Sequence, residues 1–221
     1  MVMPNTSTIF LVLIFALAPM ANAQYGRNDY NLKGLFFGAT TPTVITQDLA
    51  VAPGKGLTGG YISRGDVYNN FDISYAMVFF QNQCTIQGRN NNISGDVIME
   101  LSGAQIQLLG GYQIIRHHLS LDMGPVLSFN GPWRAQSKDQ ELWQVSGYDQ
   151  LVVEDLSGVS PVQGHFLIGL SGGLERLKLT AQYQRGFSNF LRKINNTNLE
   201  RPVNGFSGQL AWTTIGVYLY F

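Results

Sequence analysis

The sequence has one cysteine, Cys84, so no intramolecular disulfide can form. Charge is scarce too: Asp, Glu, Lys and Arg make up 13% of the chain, with 14 acidic and 14 basic side chains. A surface so thin in charge is unusual for a water-soluble domain. The zero balance leaves no basic field for nucleic acid, and no helix-turn-helix or RNA-binding signature is present. Long hydrophobic runs are also missing. Beyond residues 1–23 no stretch of about 18 apolar residues occurs, which excludes a transmembrane helix in that part. What the chain does have is 25 Gly, 13 Phe and 10 Tyr against 3 Trp. That mix suits strands that turn tightly and place aromatics at a membrane interface.

The two ends carry the strongest signals. Ile9 to Ala18 is an apolar run of signal-peptide length, and Ala21-Asn22-Ala23 is a small-x-small cleavage site, although the leading residues lack Lys and Arg. Residues 1–23 are therefore expected to be a cleaved signal peptide. The mature domain, 24–221, would begin at Gln24, and without a Cys after the cleavage site it is not a lipoprotein. At the other end, Thr213 to Phe221 alternates strictly, placing Ile215, Val217, Leu219 and Phe221 on one face of a strand. A last strand ending on an aromatic is a habit of outer-membrane barrels, where it closes the sheet and is read by the assembly machinery.

Period-two segments predict eight strands, near 32–41, 56–64, 70–81, 99–115, 117–129, 163–173, 175–185 and 208–221. In the seventh, Leu177, Leu179, Ala181 and Tyr183 oppose Arg176, Lys178, Thr180, Gln182 and Gln184. In the fifth, Leu119, Leu121, Met123, Leu127 and Phe129 oppose His118, Ser120, Asp122 and Ser128. The third sets Phe71, Ile73, Tyr75, Met77 and Phe79 against Asp72 and Ser74. The fourth sets Ala104, Ile106, Leu108, Tyr112 and Ile114 against Gln105, Gln107 and Gln113. The first is ambiguous, because Leu35-Phe36-Phe37 offers apolar residues to both faces.

Tight turns are expected around Gly65–Asn69, Arg116–His117 and Gly173–Leu174, and long connections at 42–55, 82–98, 130–162 and 186–207. Short turns at one end and long loops at the other are the layout of an eight-stranded antiparallel up-and-down transmembrane β-barrel, with the long loops outside the cell. A lipocalin is also eight-stranded but hides its apolar face inside. Here nearly every strand carries Phe, Tyr, Met or Leu on its apolar face, more than so narrow a lumen can hold. Arg64, Asp72, Asp122, Arg176 and Lys178 then face inward, where unpaired charge is costly. Arg64, Arg176 and Lys178 are expected to pair with Asp72, Asp122 and Glu100.

Several segments resemble the PorT-like outer-membrane β-barrel proteins of Bacteroidota. Leu167-Ile168-Gly169-Leu170-Ser171-Gly172-Gly173 is similar to that family's glycine-rich sixth strand. Ala181 to Phe190 is similar to its "RY..GLSNI" segment, Leu119 to Pro125 to its "L-x-L-x-x-G-P" fifth strand, and Thr214 to Phe221 to its "LGYxF" ending. The fourth strand departs from the pattern: Ser102 to Tyr112 lacks the proline of "IEIPLLLKY". The resemblance spans residues 32–221 and implies fold and location more than activity. Some members serve type IX protein secretion.

Other motifs have plainer readings. Gly54-Lys55-Gly56-Leu57-Thr58-Gly59 fits G-x-G-x-x-G, but Tyr61-Ile62-Ser63 after it reads as strand, not helix, so a loop entering strand two explains it better than a nucleotide site. Arg64-Gly65-Asp66 spells an adhesion tripeptide but is placed at a periplasmic turn. His117 and His118 are adjacent, so a boundary turn is favoured over a metal site. His165, Ser171 and Asp122 make a conceivable hydrolase triad, but no G-x-S-x-G elbow is present. No residue is assigned a catalytic, cofactor-binding or metal-ligating role.

The outer loops differ in charge. Residues 130–162 carry five acidic and two basic side chains, and 186–207 three basic and one acidic. The loops either dock through opposite charge or stay solvated and screened. Trp133 and Trp143 either anchor at the lipopolysaccharide interface or bind a partner. The expected function is a non-enzymatic structural or interaction protein of the outer membrane. The alternatives are an accessory of type IX secretion and a lipid-modifying enzyme. The expected partners are outer-membrane lipid and lipopolysaccharide, the barrel assembly machinery during biogenesis, and a protein at the outer loops or periplasmic turns, with no nucleic acid.

Overall fold

Alternation of side chains builds eight long strands: β1 Asn31–Thr46, β2 Gly56–Tyr68, β3 Phe71–Asn90, β4 Ile93–Ile115, β5 Leu119–Asn130, β6 Val162–Gly173, β7 Leu177–Gly186 and β8 Gly208–Tyr220. The computed structural model describes residues 31–90, 93–196, 200 and 202–221, and the expected signal segment lies outside the described residues. Each strand pairs antiparallel with its neighbour in sequence. The last pairs with the first, from Gly34 opposite Tyr220 to Thr46 opposite Gly208. The sheet is thus a closed ring, and its strands have no free edge.

The register sets the shape. One row of partners runs from Leu179 through Val217, Phe37, Gly59, Phe79, Ala104 and Phe129 to Val162. Continued by the β6–β7 register, it returns to β7 at position 189, ten residues beyond its start. A shear of ten on eight strands tilts them by about 40° and leaves an interior just wide enough for side chains.

The faces are those of an inside-out barrel. Outward positions include Phe37, Leu57, Ile73, Phe79, Leu108, Ile168, Leu179 and Ile215, all exposed. Arg64, Asp72, Gln113, Ser120, Asp122, Ser171 and Lys178 point inward and are buried. This arrangement excludes the lipocalin alternative. It also resolves the first strand: Phe36 is inside at 2% exposure, and Leu35 and Phe37 are outside at 39% and 58%.

Two sequence expectations change. Residues 82–98 are not a long loop. β3 and β4 run on beyond the barrel as a paired hairpin up to Asn90 opposite Ile93. There the chemistry of the faces inverts: Gln81, Gln87 and Arg89 are exposed outside, while Cys84, Ile86, Val97 and Met99 are buried inside. The turn after β2 also shifts. β2 continues to Tyr68, and Asn69, at φ 50°, turns the chain into β3. Arg64-Gly65-Asp66 is therefore strand rather than turn.

The long connections cover the hairpin. Val51–Ala52 pairs with β3 at Ile86 and Thr85. Gln144–Val145 pairs with β3 at Arg89 and Gly88, and Arg134–Ala135 with β4 at Glu100 and Met99. These short strands occupy edges that would otherwise expose unpaired backbone groups.

Candidate functional site

Two regions hold chemistry: the polar floor of the lumen and the cap above the barrel. On the floor, Arg64 of β2 reaches across to β5. Its Nη2 lies 2.7 Å from Asp122 Oδ1, its Nη1 lies 3.6 Å from Asp72 Oδ2, and Nη1 donates to Ser120 Oγ at 2.8 Å. Ser171 Oγ donates to Asp122 Oδ2 at 2.8 Å and lies 2.8 Å from Ser120 Oγ. Gln113 Nε2 donates to Asp72 Oδ2 at 3.1 Å and to Asp66 Oδ1 at 2.7 Å. The network spans β2, β3, β4, β5 and β6, so it braces the ring from within.

Charge balances among the fully buried groups of this floor, and Asp66 adds a partly buried third carboxylate that faces Arg116 at 4.0 Å and His117 at 3.5 Å. Arg64 and Lys178 face Asp72 and Asp122, and all four are at most 2% exposed. Lys178 feels both carboxylates but forms no ion pair among the described residues. Gly111 makes the arrangement sterically possible. A Cβ there would lie 2.1 Å from Asp72 Oδ1 and 2.8 Å from Asp122 Oδ1.

The expected pairing is therefore met by Arg64, Asp72 and Asp122 and corrected elsewhere. Arg176 is exposed in the turn between β6 and β7, because β7 starts at Leu177. Glu100 is on the outer face of the hairpin and accepts from Gln83 Nε2 at 2.7 Å. It is half-buried and remote in register from the floor.

Higher in the lumen the walls fill with bulk. Phe36 packs on Tyr218 with ring centroids 5.0 Å apart, Phe80 on Trp212 at 5.3 Å, and His165 on Trp212 at 5.6 Å. Leu109, Val126 and Leu167 occupy the opposite wall. These side chains leave the interior packed instead of hollow.

The cap shares one hydrophobic core with the upper lumen, which it joins through Phe80, Leu101, Leu210 and Trp212. Trp133, Leu151, Val153, Leu156 and Val159 of residues 130–162 bury against Phe190, Leu191, Ile194 and Phe206 of residues 186–207 and against Ile86, Val97 and Met99 of the hairpin. Trp133 is 1% exposed, and its ring meets Phe190 edge-on at 5.6 Å. It is thus a core residue, available neither to lipopolysaccharide nor to a partner. Trp143 is half-buried and lies over Gly88 and Gly95, where a Cβ would come within 3.3 and 3.2 Å of its ring.

No side-chain ion pair joins the two loops among the described residues. Their polar contacts are to backbone. Glu200 Oε2 accepts from the N–H groups of Asp149 at 2.8 Å and Gln150 at 2.6 Å. Tyr148 Oη donates to the Asp48 carbonyl at 2.8 Å. Partial burial, with Asp48 and Glu200 nearby, raises the Tyr148 hydroxyl above the usual phenol value, so it stays a donor through neutral pH. Sequence reading missed this core because its apolar residues follow no period.

The remaining motifs fall as follows. Gly56 to Gly59 lies in β2, and a strand, not a helix, continues from it. Arg64 of the adhesion tripeptide is buried in the lumen. His117, at φ 62°, and His118 sit in the turn after β4, so His118 is exposed and not on the inner face of β5. His117 approaches Asp66 at 3.5 Å and Glu175 at 3.7 Å, and His118 Nδ1 lies 2.9 Å from the Gly173 carbonyl. His165 is buried in the lumen six residues before Ser171 on β6, about 20 Å along the strand, so the conceivable triad is not assembled.

The site therefore belongs to a closed antiparallel barrel with an apolar outer belt, a packed lumen and a folded cap. No protein-family model matches the chain, and no curated protein matches it in sequence. Solved structures of small outer-membrane proteins are similar to it. Neisserial surface protein A has 12% identity and a TM-score of 0.49 over 86% of this chain and 97% of that one. Ail of Yersinia pestis, solved with the heparin analogue sucrose octasulfate, has 9% identity and a TM-score of 0.45 over 86% and 99%. OprG of Pseudomonas aeruginosa has 9% identity and a TM-score of 0.45 over 87% and 95%. The likeness ends at fold class, which the strand pairing of this chain establishes by itself.

Proposed function

We propose that this chain is a non-enzymatic outer-membrane protein of a Gram-negative bacterium whose barrel holds a folded cap at the cell surface for interaction with a partner. The observation that carries the reading is the reversal along β3. Phe71, Ile73, Tyr75 and Phe79 are exposed and apolar, whereas Gln81, Gln87 and Arg89 on the same face are exposed and polar. The first set is stable only beside hydrocarbon, and the second belongs in water. The packed lumen supports an anchor over a diffusion pore. The test is membrane fractionation followed by reconstitution in planar bilayers. The protein is expected in the outer-membrane fraction with no ion conductance; a water-soluble chain or an open channel would contradict the reading.

A second reading is a role beside the type IX secretion machine, favoured by the segments that resemble PorT-like barrels of Bacteroidota. A clean deletion strain tests it. Periplasmic accumulation of proteins bearing type IX signals supports it, and an unchanged secretome removes it. The His165, Ser171 and Asp122 set is not assembled, and lipid A mass spectra of the same strain, expected to be unchanged, test the lipid-modifying alternative.

A further inference from the structure

Three turns meet at the lower mouth of the barrel, and one side chain reaches between them. The turn after β4 holds His117 at φ 62°, a left-handed conformation that histidine adopts more readily than most residues. Two hydrogen bonds fix that turn. Gln113 Oε1 accepts the His117 N–H at 2.9 Å, and the His118 carbonyl accepts the Gly173 N–H at 2.9 Å. The imidazole is thereby set between the end of β2 and the turn after β6. Its Nε2 lies 3.5 Å from Asp66 Oδ2, and its Nδ1 lies 3.7 Å from Glu175 Oε1. The two ring nitrogens thus face carboxylates on parts of the ring that sheet pairing does not join.

The charge of the imidazole decides what this geometry does. A neutral ring carries one N–H and donates to one carboxylate, whereas a charged ring carries two and donates toward both. Histidine makes that change between about pH 5 and 8. The other charged groups around it are Arg116 and His118 on its own turn and Arg176 beside Glu175. Asp72 of β3 lies behind, on Gln113. Arg116 also approaches Asp66, at 4.0 Å, but its side chain is 67% exposed, against 23% for His117 and 15% for Asp66. The contact between His117 and Asp66 is therefore the less screened of the two, and Glu175, largely exposed, supplies the weaker second hold. Gln113 Nε2 donates to both Asp66 and Asp72, at 2.7 and 3.1 Å, so the carboxylate that faces His117 is tied to the lumen floor.

We infer that His117 is a pH-sensitive latch across the periplasmic mouth. Charged, it holds Asp66 and Glu175 at once and binds the ends of three hairpins together; neutral, it lets one of them go. Its placement in the periplasm rests on the membrane reading above, and its geometry does not. Closure tightens as pH falls through the histidine range. It loosens again only where the carboxylates take up protons, near about pH 4.

The test is hydrogen-exchange mass spectrometry of the full chain in detergent micelles at about pH 5.5 and about pH 8, with rates corrected for the intrinsic pH dependence of amide exchange. Protection of residues 113–118 and 173–177 in wild type is expected to be about fivefold higher at the acid pH. Protection of residues 71–80 in the membrane belt is expected to be the same at both. His117→Asn keeps a residue that tolerates the turn but carries no charge, and it should show the lower protection at both pH values. Asp66→Asn and Glu175→Gln keep the shapes and remove one charge each. Each should shrink the pH effect, Asp66→Asn the more. Equal protection of the wild-type turns at the two pH values would overturn the inference, as would a full pH effect that survives in the variants. A chain recovered in the water-soluble fraction would remove the membrane reading and leave the exchange result to stand by itself.

Discussion

Arg64 and Asp122 meet at 2.7 Å although they sit on β2 and β5, strands that are not paired in the sheet. The contact is a strut across the lumen. Asp72 of β3 and Ser120 of β5 complete its hold on the guanidinium, at 3.6 and 2.8 Å. Closing the lumen with charge works here because the two fully buried cations, Arg64 and Lys178, face the two fully buried carboxylates, Asp72 and Asp122. Removing one partner leaves a buried charge with nothing to offset it.

Asp122→Ala should therefore destabilise the folded barrel by about 3–5 kcal/mol. Urea unfolding in detergent micelles, followed by heat-modifiable migration, measures it. A change within about 0.5 kcal/mol, the ordinary range for a surface substitution, would show that the strut carries no load.

Gly111 and Gly110 are neighbours with opposite tolerance. Gly111→Ala drives a Cβ into the Asp72 and Asp122 carboxylates and should sharply lower the yield of folded barrel. Gly110→Ala meets nothing closer than 3.9 Å and should fold like wild type. Refolding yield of the pair in lipid vesicles decides the matter, and equal yields would contradict the packing described.

The cap should come apart before the barrel does. Trp133→Ala removes the centre of its core and should cost about 3–5 kcal/mol. Limited proteolysis is expected to cut within residues 130–162 while β1–β8 remain heat-modifiable. Because the docking is apolar, Asp149→Lys and 1 M salt, which shortens screening to about 3 Å, should leave protease resistance unchanged. A salt-labile cap would restore the role of opposite loop charge.

Cys84, 4% exposed on the inner face of β3, should resist maleimide in the folded protein and react once the chain is unfolded. Mass measurement before and after denaturation reports this directly. Labelling of the folded protein would mean that the hairpin opens.

Much of this architecture was legible from alternation. All eight strands, the outward aromatics and the buried Arg64, Asp72 and Asp122 follow from counting in twos, because lipid-facing and lumen-facing residues must alternate. The hairpin was missed for a physical reason. From Phe71 to Ile86 the period never breaks, but beyond Phe80 the apolar face moves from outside to inside. A pattern expecting apolar residues outward reads Gln81, Gln83 and Gln87 as loop. Tracking the period separately from its phase would have found it. The cap left no such trace, since Trp133, Leu151, Phe190 and Phe206 converge from distant segments without regular spacing. Arg176 was misplaced by two residues of strand boundary, enough to move a charge from lumen to turn.

The most direct test of the account is a cysteine scan down the outer face of β3 in a Cys84→Ser background, with a membrane-impermeant maleimide on intact cells. Cysteines at Gln83, Gln87 and Arg89 are expected to label. Those at Ile73, Tyr75 and Phe79 are expected to stay dark until the membrane is dissolved. Uniform labelling from Ile73 to Arg89 would place the belt in water and contradict the account.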